Sequence, residues 1–326
     1  MKVKAATIAR DLGLSKATVS LALNHKPGVS EETKKLIFNY IDQVENGITT
    51  SKVIKIVNYA RKQIDPTTTE VDLWTNTLAM FNKEAKKDGY LLSIDYIEDD
   101  LIEIEKLVIE YRQPLIAGII IFANEMDKET FNLFKQINKP TIIYDNDYQD
   151  DHYSYVMIDN YHGLKEIIKL IKSKGFKQIG YLANQDNTFN FQKRREAFKT
   201  LITKYQLDGK IYITGNSVDT SYSVIKEGLE NNLYPRVLIS ENYQISISAI
   251  KAFQDLQLEL KKDVHLAGID EIPDYFCYGY NLTVLKIAHS KRAKLAMMLL
   301  KDEIEQNDLQ KFRVYSTCKL IIGDTL

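Results

Sequence analysis

From residue 53 onward, short β-branched or aromatic runs alternate with longer stretches of helical spacing, and this alternation limits the fold more than any other feature. The runs are VIKIV (53–57), YLLSIDYI (90–97), AGIIIF (117–122), TIIY (141–144), QIGYL (178–182), KIYI (210–213), RVLIS (236–240), VHLAGI (264–269) and LTVLKI (282–287). Between many of them lie stretches such as LWTNTLAMFNKEAKKDG (73–89), GLKEIIKLIKSKG (163–175) and ISAIKAFQDL (247–256). Continuous apolar strands separated by helices predict a parallel sheet covered on both faces. About nine such strands exceed one comfortable sheet, so an α/β core of two doubly wound parallel-sheet subdomains is expected. Ligands of such sheets sit beyond the carboxyl ends of the strands, which makes the cleft between the subdomains the default binding site.

Several function classes are excluded before any motif is considered. No run approaches the roughly 18 apolar residues of a membrane span, and the N-terminus lacks the apolar segment of a secretory signal. The expected location is therefore cytoplasmic, with no membrane partner. Cys277 and Cys318 form no spaced cluster, and His25, His152, His162, His265 and His289 show no metal-ligand spacing. There is no G-x-S-x-G elbow, no phosphate-binding P-loop and no G-x-G-x-x-G. The acidic pairs Asp99–Asp100 and Asp150–Asp151 are adjacent in loops, so their side chains diverge. No enzyme, no metal and no cofactor is expected. Charge is divided along the chain: up to Lys52 there are eight Lys+Arg against five Asp+Glu, and beyond it 35 against 39. A basic head on an acidic body fits nucleic-acid contact confined to the head.

The head meets the demands of a helix-turn-helix within about twenty residues. Ala9 supplies a small residue where two helices cross closest, and Gly13 supplies a turn tolerant of positive φ. Val19 plugs the gap from the second helix, with Leu23 one turn on, and Ser15 is placed to cap that helix. Ile8, Leu12 and Leu14 complete the small core, leaving Lys16, Ala17, Ser20 and Leu21 outward. VSEETKKLIFNYI (29–41) reads as a third helix with Ser30 as its cap, Glu31 and Glu32 at its positive end, and Leu36, Ile37, Tyr40 and Ile41 inward. A plain three-helix bundle without a DNA role is the competing reading.

TIARDLGLSKATVSLALNHKPGVSEET resembles the DNA-binding head of the LacI/GalR family of sugar-responsive transcription regulators. Ala9, Gly13, Ser15, Thr18, Val19, Ser20, Leu23, Asn24, Val29, Ser30 and Thr33 fall on the family signature, with Leu14 in place of a valine. The resemblance implies that Lys16 and Ala17 read bases, the first at guanine O6/N7 and the second at a thymine methyl. It implies that Ser15, Thr18 and Asn24 fix the register on phosphates, with Ser20 on the same face. Leu21 stands where many members carry a base-reading arginine, so an altered operator is expected. The joint ENGITTSK (45–52) lacks the family's Y-x-P-N-x-x-A-x-x-L hinge and its length, so a leucine wedge in the minor groove is not expected.

The resemblance runs over nearly the whole chain and implies a type I periplasmic-binding-protein-like core with three crossings between subdomains. The expected boundaries are a head over 1–46, a hinge over 47–52 and a core over 53–326. Within the core the first subdomain takes about 53–174 and 288–316, and the second about 175–287 and 317–326. Four positions match residues that hold sugar hydroxyls in the family: Asp159 in VMIDNYHG, Arg194 in FQKRREAF, Asn242 in LISENYQISIS and Asp270 in LAGIDEIP. Carboxylates accept hydroxyls while arginine and asparagine donate and orient, which suits a polyol. Each residue also has a plainer reading, as a helix cap or a solvated charge. An aromatic platform found in many members is missing, since Asn216 stands there, and Trp74 is a candidate cleft or helix-face residue. The opening of the body, IVNYARKQIDPTTTEVDLW (56–74), resembles members that control β-galactoside use, so a galactoside is the expected effector. The implied protein is a homodimeric repressor binding double-stranded operator DNA. Its rival is a cytoplasmic sugar-binding protein whose head has lost operator function.

Overall fold

In the computed structural model, residues 4–12, 14–45, 52–61, 73–306 and 310–326 are described. Gly13, most of the joint at 45–52 and residues 62–72 lie outside them, as does the side chain of Trp74. The head contains helices α1 (Ala5–Asp11), α2 (Lys16–Leu23) and α3 (Glu31–Glu45). Ile8, Ala9, Leu12, Val19, Ala22 and Ile37 form its buried core with Leu14, Leu23, Tyr40 and Ile41 packed against it, whereas Leu36, expected inward, is exposed.

The core holds two six-stranded sheets. The first comprises β1 (Val53–Ala60), β2 (Leu91–Glu98), β3 (Ile116–Phe122), β4 (Thr141–Tyr144), β5 (Ser154–Ile158) and β11 (Arg313–Ser316), in the order β11-β5-β4-β3-β1-β2. All its pairings are parallel. Helices α4 (Leu73–Lys87) and α11 (His289–Gln306) cover one face through Phe81, Ala85, Ala293, Ala296 and Leu300. On the other face lie α5 (Leu101–Tyr111) and α6 (Lys128–Phe134), with Ile104, Val108, Phe131 and Phe134 inward. A Cβ at Gly118 of β3 would stand 2.8 Å from a Leu300 methyl, so this glycine lets α11 lie close on the sheet.

The second sheet comprises β6 (Gln178–Ala183), β7 (Asp208–Ile213), β8 (Val237–Ser240), β9 (His265–Ile269), β10 (Thr283–Lys286) and β12 (Lys319–Ile321), in the order β12-β10-β9-β8-β6-β7. Only β12 runs antiparallel to its neighbour. Helices α7 (Asn160–Ser173) and α8 (Phe189–Tyr205) pack on one face, and α9 (Val218–Glu230) and α10 (Tyr243–Asp255) on the other.

Three strands were not among the apolar runs. β5 is a short buried strand, and the hydroxyl of its Ser154 donates to Glu303 Oε1 at 2.6 Å. β11 and β12 are short edge strands, the first alternating in exposure and the second only three residues long. A second correction concerns α7. The expected boundary near residue 174 assigned this helix to the first subdomain, yet Leu164, Ile167, Ile168 and Ile171 share a core with Ile179, Tyr181 and Phe198. The chain therefore first passes between the sheets at about residue 159. It passes again between β10 and α11, and a third time between β11 and β12.

Candidate functional site

The exposed surface of α2 follows from how its ends are tied. Ser15 takes an extended conformation (φ −70°, ψ 148°) and its hydroxyl accepts the Thr18 N–H at 2.9 Å. Val19 and Ala22 point into the head core, which turns Lys16, Ala17 and Ser20 to solvent. At the other end the Asn24 amide donates to the Ser20 carbonyl at 2.7 Å, so part of its donor capacity closes the helix. Leu21 is not fully outward. It is half-buried, with a methyl carbon 3.9 Å from where a Gly28 Cβ would stand. Gly28 itself has φ +109°, a value that makes room for the chain to turn from α2 toward α3. The His25 ring stacks on Phe38 of α3 at 5.5 Å, a link the sequence reading missed.

The four residues expected in the cleft all stand at the ends of strands or in the helices that follow. Asp159 ends the first crossing, where its N–H donates to the Ser316 carbonyl of the third crossing at 2.9 Å. Its carboxylate caps α7 through the His162 N–H at 3.0 Å and meets the His162 ring at 2.7 Å. Arg194 is buried; its Nε donates to Asn160 Oδ1 at 3.0 Å and its Nη1 to the Glu241 carbonyl at 2.7 Å. Asn242 caps α10 by accepting the Ile245 N–H at 3.0 Å. Asp270 follows β9 with φ +70° and its carboxylate lies 2.8 Å from His289 Nε2. The capping role foreseen for a strand-end Asp is thus present at Asp159, and Arg194 is a buried tie rather than a solvated charge.

A shared neighbourhood is visible at Cys318, on the third crossing. Burial pushes its thiol up to about 11, and Arg194, Asp270, Arg292 and Asp159 all stand close enough for their charges to act on it. Pockets of ≈ 460 Å³, lined by Asp147, Asp159, Asn160, Phe189 and Lys193, and of ≈ 870 Å³, lined by Glu271, Lys286, His289 and Cys318, flank the crossings.

Sequence reasoning missed much of the surrounding network. Asn160 donates to Asn190 Oδ1 at 2.9 Å, and the Asn190 N–H donates to Asn124 Oδ1 at 3.0 Å. The Phe189 N–H also donates to the Asn124 carbonyl, at 2.9 Å. These bonds join the loop after β3 of the first sheet to the first turn of α8 on the second. Glu241, fully buried, holds Arg195 through both carboxylate oxygens at 2.9 and 2.7 Å and accepts the Asn184 N–H at 2.7 Å. Burial raises its pKa despite that pairing. The one available signal was position, since Asn184 and Glu241 each directly follow an apolar run. Among the described residues, no group of His, Cys, Asp or Glu is arranged to hold a metal ion.

Comparison with known proteins places this geometry in a group. Residues 6–45 match the model of bacterial regulatory proteins of the lacI family, and residues 168–326 match a periplasmic binding protein-like domain. The chain is 20% identical over 307 residues to the HTH-type transcriptional repressor PurR of Actinobacillus pleuropneumoniae, covering 93% of this chain and 91% of that one. It is 24% identical over 271 residues to the HTH-type transcriptional regulator RegA of Clostridium saccharobutylicum, with 81% of each covered. The fold is similar to that of a lac repressor dimer bound to operator and an anti-inducer (TM-score 0.73, 17% identity, 100% and 99% covered). It is equally similar to a CelR–cellobiose complex (TM-score 0.72, 14% identity, 99% and 100% covered). These relatives are transcription regulators rather than enzymes. With a lacI-type head on a periplasmic-binding-protein-like core, the chain belongs to the LacI family of DNA-binding bacterial regulatory proteins.

Proposed function

We propose that this regulator is a homodimeric repressor whose operator binding responds to a small sugar held between the two core subdomains. The observation that carries the reading is the α2 surface, where Lys16, Ala17 and Ser20 are exposed in a helix capped by Ser15. A helix so placed fits a major groove, with Lys16 and Ala17 at base edges and Ser15, Thr18 and Asn24 beside phosphates. Leu21 adds an apolar contact from the rim of that face. Two protomers then address half-sites about one helical turn apart.

The sugar is assigned to Asp159, Arg194, Asn242 and Asp270, whose carboxylates and donors suit hydroxyl groups. Two structural neighbours support the ligand class by their own contents, one with cellobiose and one, a CcpA of Weissella paramesenteroides, with glucose. Sugar favours one relative position of the subdomains and so changes the spacing of the heads. Fluorescence anisotropy with labelled DNA flanking the protein's own gene tests the reading. Tight binding that weakens steeply with salt is expected. Sugar binding by calorimetry with no DNA affinity at any salt would instead favour a sugar-binding protein with an inactive head.

A further inference from the structure

Arg292 is buried where a helix of apolar character would place an aliphatic side chain. It lies in the first turn of α11 and is 1% exposed, in the same layer as Ala293, Ala296 and Met297. Its Nη2 pairs with Asp145, the residue directly after β4, and lies 3.4 Å from the Val156 carbonyl. Among the described residues its Nε and Nη1 have no hydrogen-bond partner. The guanidinium stands 4.3 Å from the centre of the Tyr144 ring, and the Tyr144 hydroxyl is buried without a partner too. The unmet groups are thus mainly donors, grouped at the carboxyl end of β4, and what would satisfy them is a set of oxygen acceptors.

Location points the same way. α11 begins directly after the second crossing, and Asp270 of the other sheet is close enough to act on the Arg292 charge. Burial works against that charge, but Asp145 and its neighbours outweigh it, so the side chain stays a cation. A buried arginine lacking partners for two nitrogens destabilises the ligand-free protein, because each buried unsatisfied donor carries its full desolvation cost. Function accounts for keeping such a residue better than stability does.

We infer that Arg292 and Asp145 form the first subdomain's half of the effector site, with Arg292 Nε and Nη1 donating to hydroxyl oxygens of a neutral sugar. This rests on the proposed sugar cleft and adds to it a specificity-determining residue on the first subdomain's side, at the start of α11 and the end of β4. A neutral ligand is required because Asp145 already balances Arg292. An acidic sugar would add charge beside Asp145, Asp159 and Asp270.

The test uses the full-length protein with methyl β-D-galactoside, glucose and cellobiose as probes in calorimetry. Arg292→Lys keeps a cation beside Asp145 but lacks the two donors, and Arg292→Met keeps the apolar volume. Both are expected to weaken binding of whichever probe the wild type takes by about tenfold or more, the scale of one charge-assisted hydrogen bond. Unchanged affinity in both variants overturns the role of Arg292 while leaving the sugar cleft standing. Binding of no probe by the wild type counts against the sugar reading, and the ligand-free melting temperature then decides the inference. The double variant Arg292→Met, Asp145→Asn is expected to melt at or above the wild type. A lower melting temperature shows a structural ion pair and overturns it.

Discussion

Arg194 illustrates what a single side chain does at two levels. Its hydrogen bonds to Asn160 and to the Glu241 carbonyl join the first crossing to the end of β8 inside the second subdomain. Arg194→Ala leaves those acceptors unpaired, so a loss of about 1–3 kcal/mol in stability is expected on chemical denaturation. The same variant is expected to lose the sugar response while still binding operator; a retained response would remove Arg194 from the effector site. Asp150 gives a pH prediction. Burial works to raise its pKa, but hydrogen bonds from Lys135 and His152 outweigh this and hold it well below the usual carboxylate range. A depressed folded-state value contributes stability above the unfolded value and loses it as pH falls. The stability gap between wild type and Asp150→Asn should therefore be full above about pH 4 and close under acid. A gap that widens on acidification would contradict the assignment.

At the scale of elements, what a reader of the sequence recovers depends on whether the signal is local. α2 was legible because a cap at Ser15, a small Ala9 and a buried Val19 are short-range demands that leave few alternatives. Ser15→Ala should cost the head about 1 kcal/mol, measurable by thermal melting. Leu21 was legible only in part, since its half-burial depends on the path of the loop after α2. The stem of an arginine can cover the same apolar surface and still extend its charged end. Leu21→Arg should thus fold and shift operator preference toward guanine at one position per half-site in a selection from random DNA. An unchanged preference would count against this docking of α2. The other edge strands, β2 and β7, were read from their runs, whereas β11 and β12 were missed because they are only four and three residues long.

For the molecule as a whole, periodicity announced two sheets but could not say which helix covers which. Helix α7 has the same amphipathic pattern whichever sheet it joins, so only packing moves the first crossing from about 174 to about 159. The same limit hid Asn124 and Asn190, whose bond spans the two sheets and has no sequence signature. Asp270, by contrast, was visible as a polar residue directly after an apolar run, whereas Asp159 was found through the family resemblance. The fold couples these features because the three crossings run beside Asp159, His289 and Cys318. A ligand held there as proposed would touch the segments that join the two subdomains. Footprinting of the protein on the DNA flanking its own gene, with and without glucose, cellobiose or a galactoside, tests this coupling most directly. Two protected half-sites related by a near-palindrome are expected, with protection changed by one of the sugars. No protection at low salt, or protection that none of the sugars alters, would contradict it.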